Sequence, residues 1–163
     1  MLEAWLAGRI AVLLSASAVR LHPQERPDFE LRFGEEVRQY ELTEADILGR
    51  RRGDESFEPG IQDDPVEDWR IRFEAIAPSL KDRIEKKIRN KNYDAKTSLV
   101  VYVNLGCYGA YMDEGITILR EETGRAKNSF QEVFAYWEGA LFRFWQHGCY
   151  KFERWLPPLA HWD

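Results

Sequence analysis

The stretch PDFELRFGEEVRQYELTEA, Pro27 to Ala45, decides how the chain is read. Phe29, Leu31 and Phe33 alternate with Glu30 and Arg32, Gly34-Glu35-Glu36 can turn the chain back, and a second run follows from Val37 to Thr43. Strand side chains point to opposite faces in turn, so the pattern predicts an antiparallel hairpin. In its second strand Gln39, Glu41 and Thr43 share one face, with Tyr40 and Leu42 on the other. Asp28 stands at the entrance to the first strand. Antiparallel pairing would bring the carboxylates of Asp28 and Glu41 toward one point, as two oxygen ligands of Mg²⁺ or Mn²⁺ require, and Leu42 could add a backbone carbonyl. An edge hairpin with two solvated carboxylates has the same composition, so the pair alone does not choose between a metal site and an acidic hairpin.

Working outward, Leu2, Trp5, Leu6, Ile10, Leu13 and Leu14 recur at helical intervals and predict a first amphipathic helix. Val19 to Leu21 can begin a strand that Pro23 and Pro27 break. Residues 46 to 68, rich in Arg, Asp, Glu, Gly and Pro, read as a long connection. Pro78-Ser79 then opens a helix that runs to Asn90 or Asn92, with Ser79 as its N-cap. SLVVYVNLG, Ser98 to Gly106, is a β-branched and aromatic run suited to a strand buried on both faces. Glu114 to Thr123 fits a short helix, and EVFAYWEGALFRFW, Glu132 to Trp145, reads as two strands around a turn at Glu138-Gly139. The tail from about 146 to 163 is an aromatic C-terminal extension, expected to pack on the domain or to form a homodimer with a second copy. The expected architecture is a single α/β domain over 1–163: a mixed β-sheet flanked by helices. In it 28–33 and 37–43 pair antiparallel and 98–104 lies parallel beside the second, the helix from Lys81 to Asn90 supplying the crossover.

Composition bounds the function. With 163 residues the chain can bury roughly two thirds of its unfolded surface. Its 44% hydrophobic and 31% charged residues describe a globular protein, not a disordered one. A net charge of −5 excludes nucleic-acid binding by bulk positive field, although cations can be local, as in Arg50-Arg51-Arg52 and in KDRIEKKIRNKN, Lys81 to Asn92. Cys107 and Cys149 lack the spacing of a zinc site or a disulfide framework, which predicts a reduced, cytoplasmic chain. The run from Ile10 to Leu14 is shorter than the apolar region of a secretory signal, and no segment approaches the ~18 apolar residues of a membrane span.

Pro27-Asp28, a short gap, then Glu41-Leu42-Thr43, preceded by a helix and followed by a helix and a buried strand, resembles the PD-(D/E)xK nuclease superfamily, with its restriction-endonuclease-like core. The resemblance covers roughly Leu2 to Leu105. It implies that Asp28 and Glu41 bind a divalent metal, Mg²⁺ or Mn²⁺, and that the substrate is DNA or RNA. Thr43 departs from the pattern, standing where the family has the lysine that positions or activates water. A threonine hydroxyl can hydrogen-bond a water but brings no positive charge to a developing phosphorane.

The following helix offers a substitute cation. Lys87 and Lys91 fall within one arc of about 100° with Leu80, Ile84 and Ile88, the stripe that should face the sheet. Members of the resembled fold as a class move this lysine onto the neighbouring helix. A lysine snorkelling past the core edge would have the same placement. His22, His147 and His161 show no metal-ligand spacing, and Tyr108, Tyr111, Trp137 and Trp145 serve either base stacking or packing. The expectation is a metal-dependent nuclease-like hydrolase using Asp28, Glu41 and Lys87 or Lys91. Its rival is a non-catalytic interaction or dimerisation module on the same fold.

Overall fold

The structure, a computed structural model, describes residues 2–22, 26–47, 66–90, 93 and 96–157. Helix α1, Leu2–Leu13, leads into a meander of β1, Ala18–Leu21, β2, Phe29–Phe33, and β3, Glu36–Ala45. Helix α2, Val66–Arg89, crosses to β4, Thr97–Val103, and α3, Met112–Thr123, crosses to β5, Glu132–Trp137. Strands β6, Ala140–Gln146, and β7, Cys149–Trp155, complete the chain. All seven strands form one mixed sheet whose spatial order is the order of the sequence. Only the β3–β4 and β4–β5 pairs are parallel.

This topology decides where the helices lie. Crossovers between parallel strands are right-handed, and here both step across the sheet in the same direction, which puts α2 and α3 on one face. That face is packed by Phe73, Ile76, Leu80 and Ile84 of α2, Leu119 of α3, and Leu99, Val101, Val133, Ala135 and Trp137 of the central strands. The opposite face carries α1, whose Leu6, Ala7, Ile10 and Ala11 pack with Phe29, Leu31, Tyr40, Leu42, Val100 and Phe134. Phe29 and Tyr40 stack with ring centroids 5.0 Å apart. The mixed α/β sheet, the hairpin, the parallel β3–β4 pair and the crossover helix all occur as the sequence predicts.

Three boundaries differ. Helix α2 begins at Val66, so Pro78-Ser79 does not open it; Pro78 lies inside, and the connection is shorter than 46 to 68. The missing Pro78 N–H is tolerated because Phe73 and Ile76 before it and Leu80 and Ile84 after it are anchored in one core. Ser79 is no N-cap: it is fully buried, and its hydroxyl donates to the Asp46 carbonyl at 2.6 Å. The supposed C-terminal extension is in part the edge strand β7, paired antiparallel with β6, while residues 158–163 lie outside the described residues. The β5–β6 and β6–β7 turns, Glu138-Gly139 and His147-Gly148, have positive φ at both residues (52° and 77°; 50° and 76°), as two-residue hairpin turns require.

Candidate functional site

In the β2–β3 register Phe29 faces Tyr40, and one further step sets Asp28 beside Glu41. Strand β2 begins only at Phe29, so Asp28 stands just before it. The Asp28 carboxylate continues the ladder with its side chain, accepting the Leu42 N–H at Oδ2 over 2.7 Å. Because N–H and C=O of one strand residue point to the same side, the Leu42 carbonyl is turned toward this edge as well.

Glu41 sits on the α2 face of β3, opposite Leu99 of β4, and its side chain is only 1% exposed. A carboxylate so deep needs a partner. The partner is Lys87, in the last turn of α2, whose Nζ donates to Glu41 Oε2 at 2.7 Å and lies 3.8 Å from Asp28 Oδ2. The ammonium thus joins a hairpin entrance, a central strand and a crossover helix at one point. Lys87 is 21% exposed and Asp28 26%, so the cluster opens to solvent on the Asp28 side. Glu41 Oε1 is buried and accepts no hydrogen bond among the described residues. Burial pushes the Glu41 carboxyl above the usual carboxylate range, and the Lys87 ammonium opposes that push without cancelling it.

Two further residues, not picked out from the sequence, complete the surroundings. The Tyr93 ring carries the Arg26 guanidinium 5.0 Å and the Lys87 ammonium 6.0 Å from its centroid. Arg26 also reaches the Asn90 carbonyl at 3.4 Å, which ties the segment before Asp28 to the end of α2. The Tyr93 hydroxyl is buried without a partner among the described residues, and burial raises its pKa. The only sequence signal for Arg26 is its place immediately before Pro27-Asp28; Tyr93 gives none.

Other sequence candidates fall elsewhere. Thr43 shares the Glu41 face, half-buried, and makes no hydrogen bond to Asp28, Glu41 or Lys87 among the described residues. Lys91, Arg50 to Arg52 and His161 lie outside the described residues. His22 contacts Glu30 at 3.3 Å, and His147 forms the β6–β7 turn. Trp137 is core, its indole donating to the Leu105 carbonyl at 3.0 Å. Tyr108 and Tyr111 pack on Trp69 and Phe73, and Trp145 donates to the Thr123 hydroxyl. Cys107 is buried, its thiol pushed up to about 11 by burial and then by the Glu138 charge, and does not suit a nucleophile at neutral pH.

A second buried ionic group lies on the α1 face. Arg143 donates to Glu132 at 2.7 Å and contacts Glu153 at 2.6 Å, while Gln146 donates to Glu132 at 3.1 Å. It holds the antiparallel end of the sheet and is remote in register from the Lys87 cluster. Among the described residues no group of three or more His, Cys, Asp or Glu converges as a metal cage, and no helix is long and apolar enough to cross a membrane.

Comparison of the chain with protein-family models, with curated proteins and with solved structures finds no match. The functional reading therefore rests on the geometry of Asp28, Glu41 and Lys87.

Proposed function

We propose that the chain is a metal-dependent, nuclease-like hydrolase of nucleic-acid phosphodiesters, with its centre at Asp28, Glu41 and Lys87. The observation that carries this reading is the convergence of two carboxylates and one ammonium from three separate elements, with distances of 2.7 and 3.8 Å to Lys87 Nζ. Metal-assisted phosphoryl chemistry needs oxygen ligands and a cation near a developing negative charge.

The donor set fits a hard divalent cation. Glu41 Oε1 is a buried oxygen that no donor among the described residues reaches, so its lone pairs are free for a ligand. Mg²⁺ is commonly held by one or two carboxylates together with water and substrate phosphate, so a cage of three protein carboxylates is not needed. Asp28 and Glu41 would hold Mg²⁺ or Mn²⁺, with the Leu42 carbonyl on the same edge. When bound, the ion supplies a lowered pKa for water and positive charge for the phosphoryl oxygens. Lys87 keeps its ammonium within hydrogen-bonding distance of Glu41 Oε2, and from there it can supply the charge that Thr43 lacks. Asp28, fixed through the Leu42 amide, holds its carboxylate at the solvent-facing side where a strand would approach.

A specific feature favours a second reading, a non-catalytic interaction module. Edge strand β7 exposes Tyr150 (53%) and Phe152 (41%), and an edge strand offers unpaired backbone groups to a second copy or another chain. Calorimetric titration with Mn²⁺ separates the readings. The hydrolase reading predicts saturable binding to the wild type that Asp28→Ala removes; the module reading predicts equal, negligible heats for both, with a mass that rises with concentration in light scattering.

A further inference from the structure

A cavity of about 370 Å³ opens between the end of α3 and the β6–β7 turn, lined by Tyr93, Lys127, Asn128, Ser129, Phe130, Gln131, His147 and Gly148. Its size is that of a small-molecule site. Three observations say what it suits. First, none of its eight lining residues is a carboxylate, although the chain has 28 Asp and Glu against 23 Lys and Arg. Second, Lys127 on its wall makes no ion pair among the described residues; its ammonium rests 5.1 Å over the Trp145 ring. Asn128, Ser129, Gln131 and His147, also lining residues, carry side chains of types able to donate to an anion. Third, Tyr93 and Phe130 form an aromatic wall, with centroids 5.0 Å apart, and Tyr93 is the same ring that carries Arg26 and Lys87. The cavity and the carboxylate cluster therefore share a wall.

We propose that this cavity is a nucleotide subsite, taking one phosphate of a single strand against Lys127 and the adjoining base against Tyr93 and Phe130, beside the centre at Asp28, Glu41 and Lys87. It rests on the hydrolase reading for its position next to a scissile bond, while its ligand chemistry rests on the cavity alone. A phosphate needs cations and donors without competing carboxylates, and a base needs a flat apolar face. The β6–β7 turn closes the cavity: Gly148 has φ of +76°, and a Cβ there would lie 3.1 Å from Asn128 Oδ1.

The test is fluorescence anisotropy of 3′-labelled, 5′-phosphorylated tetrathymidylate in EDTA, with wild type, Lys127→Met, Ser129→Glu and Asp28→Asn. Ser129 is exposed, so a carboxylate placed there enters the cavity without disturbing the core. The expected result is saturable binding to wild type, weakened about tenfold or more by either cavity change and kept by Asp28→Asn, about 1.4 kcal/mol in the cavity variants. If wild type does not bind, or if Lys127→Met and Ser129→Glu bind like wild type, the subsite is overturned. Cleavage in Mn²⁺ is measured in parallel. Oligonucleotide binding that depends on Lys127 in a protein that never cleaves leaves the subsite standing and removes the hydrolase reading. Cleavage with an unchanged KM in both cavity variants does the reverse.

Discussion

Lys87 Nζ and Glu41 Oε2 stand 2.7 Å apart across 46 residues of sequence, joining the crossover helix to a strand inside the sheet. Glu41 is almost wholly buried and Lys87 only partly, so the pair is asymmetric: the carboxylate depends on the ammonium more than the reverse.

Replacing Lys87 with Met keeps most of the aliphatic stem but leaves Glu41 without the Lys87 donor. The expected loss is about 1–3 kcal/mol at neutral pH, the scale of leaving a buried polar group unsatisfied. The loss should shrink near pH 4, where Glu41, its pKa raised by burial, already carries a proton. Urea unfolding at both pH values measures it, and an equal, small loss at each would mean that the lysine only covers the core edge.

Glu41 also gives stability a pH dependence with a definite sign. Burial raises its folded-state pKa above the unfolded value near 4.5, so the folded chain binds more protons in that window. Its contribution is fully present below about pH 4.5 and is lost as pH rises through the raised value. Relative to Glu41→Gln, wild type should therefore lose stability as pH climbs through that window and change no further above it. A difference that instead grows in favour of wild type would show that the Lys87 attraction outweighs burial.

Asp28 has a structural duty that can be separated from its charge. Asp28→Ala removes the acceptor for the Leu42 amide, and because the site is partly solvated the expected loss is about 1 kcal/mol. Asp28→Asn retains an acceptor oxygen and should keep stability within about 0.5 kcal/mol, the range of most surface changes. Hydrogen exchange at the Leu42 amide reads this directly: protection should fall in the alanine variant and persist in the asparagine variant, whereas both should abolish metal-dependent cleavage.

The α3 crossover gives a test of packing alone. A Cβ on Gly115 would lie 2.3 Å from the Trp137 ring, which is fully buried and cannot move aside. Gly115→Ala gains up to about 1 kcal/mol in helix propensity. Overpacking costs about 1–3 kcal/mol, so the net effect should be destabilising. A thermal midpoint at or above that of wild type would contradict the close approach.

Much of this arrangement could be read from local pattern. The hairpin from Asp28 to Thr43 and the apolar run of β4 show their periodicity directly, and the helical stripe through Leu80, Ile84 and Lys87 points that lysine at the sheet. Elements whose local signal conflicts with their context were harder to read. Pro78 looks like a helix start because its ring forbids an interior hydrogen bond, yet core contacts on both sides of it keep α2 continuous. Strand β7 alternates Tyr150 and Phe152 with Lys151 and Glu153, but at a sheet edge both faces stay largely open, so burial gives no pattern. Arg26 and Tyr93 belong to the site only through chain closure, since no periodicity links residues on either side of β3 and α2. The Glu132–Arg143 pair shows in the sequence only as charge inside apolar runs, a weaker signal than the strand pattern around it.

The most direct measurement is cleavage of nonspecific DNA and RNA in Mn²⁺ by wild type, Asp28→Ala and Lys87→Met, with folding of each verified by circular dichroism. If Asp28, Glu41 and Lys87 form a metal-dependent phosphodiester-cleaving centre, wild type cuts, Asp28→Ala does not, and Lys87→Met is slower by at least about tenfold, or ~1.4 kcal/mol of transition-state stabilisation. A folded wild type that cuts neither polymer, or an Asp28→Ala protein that cuts as fast as wild type, would contradict it.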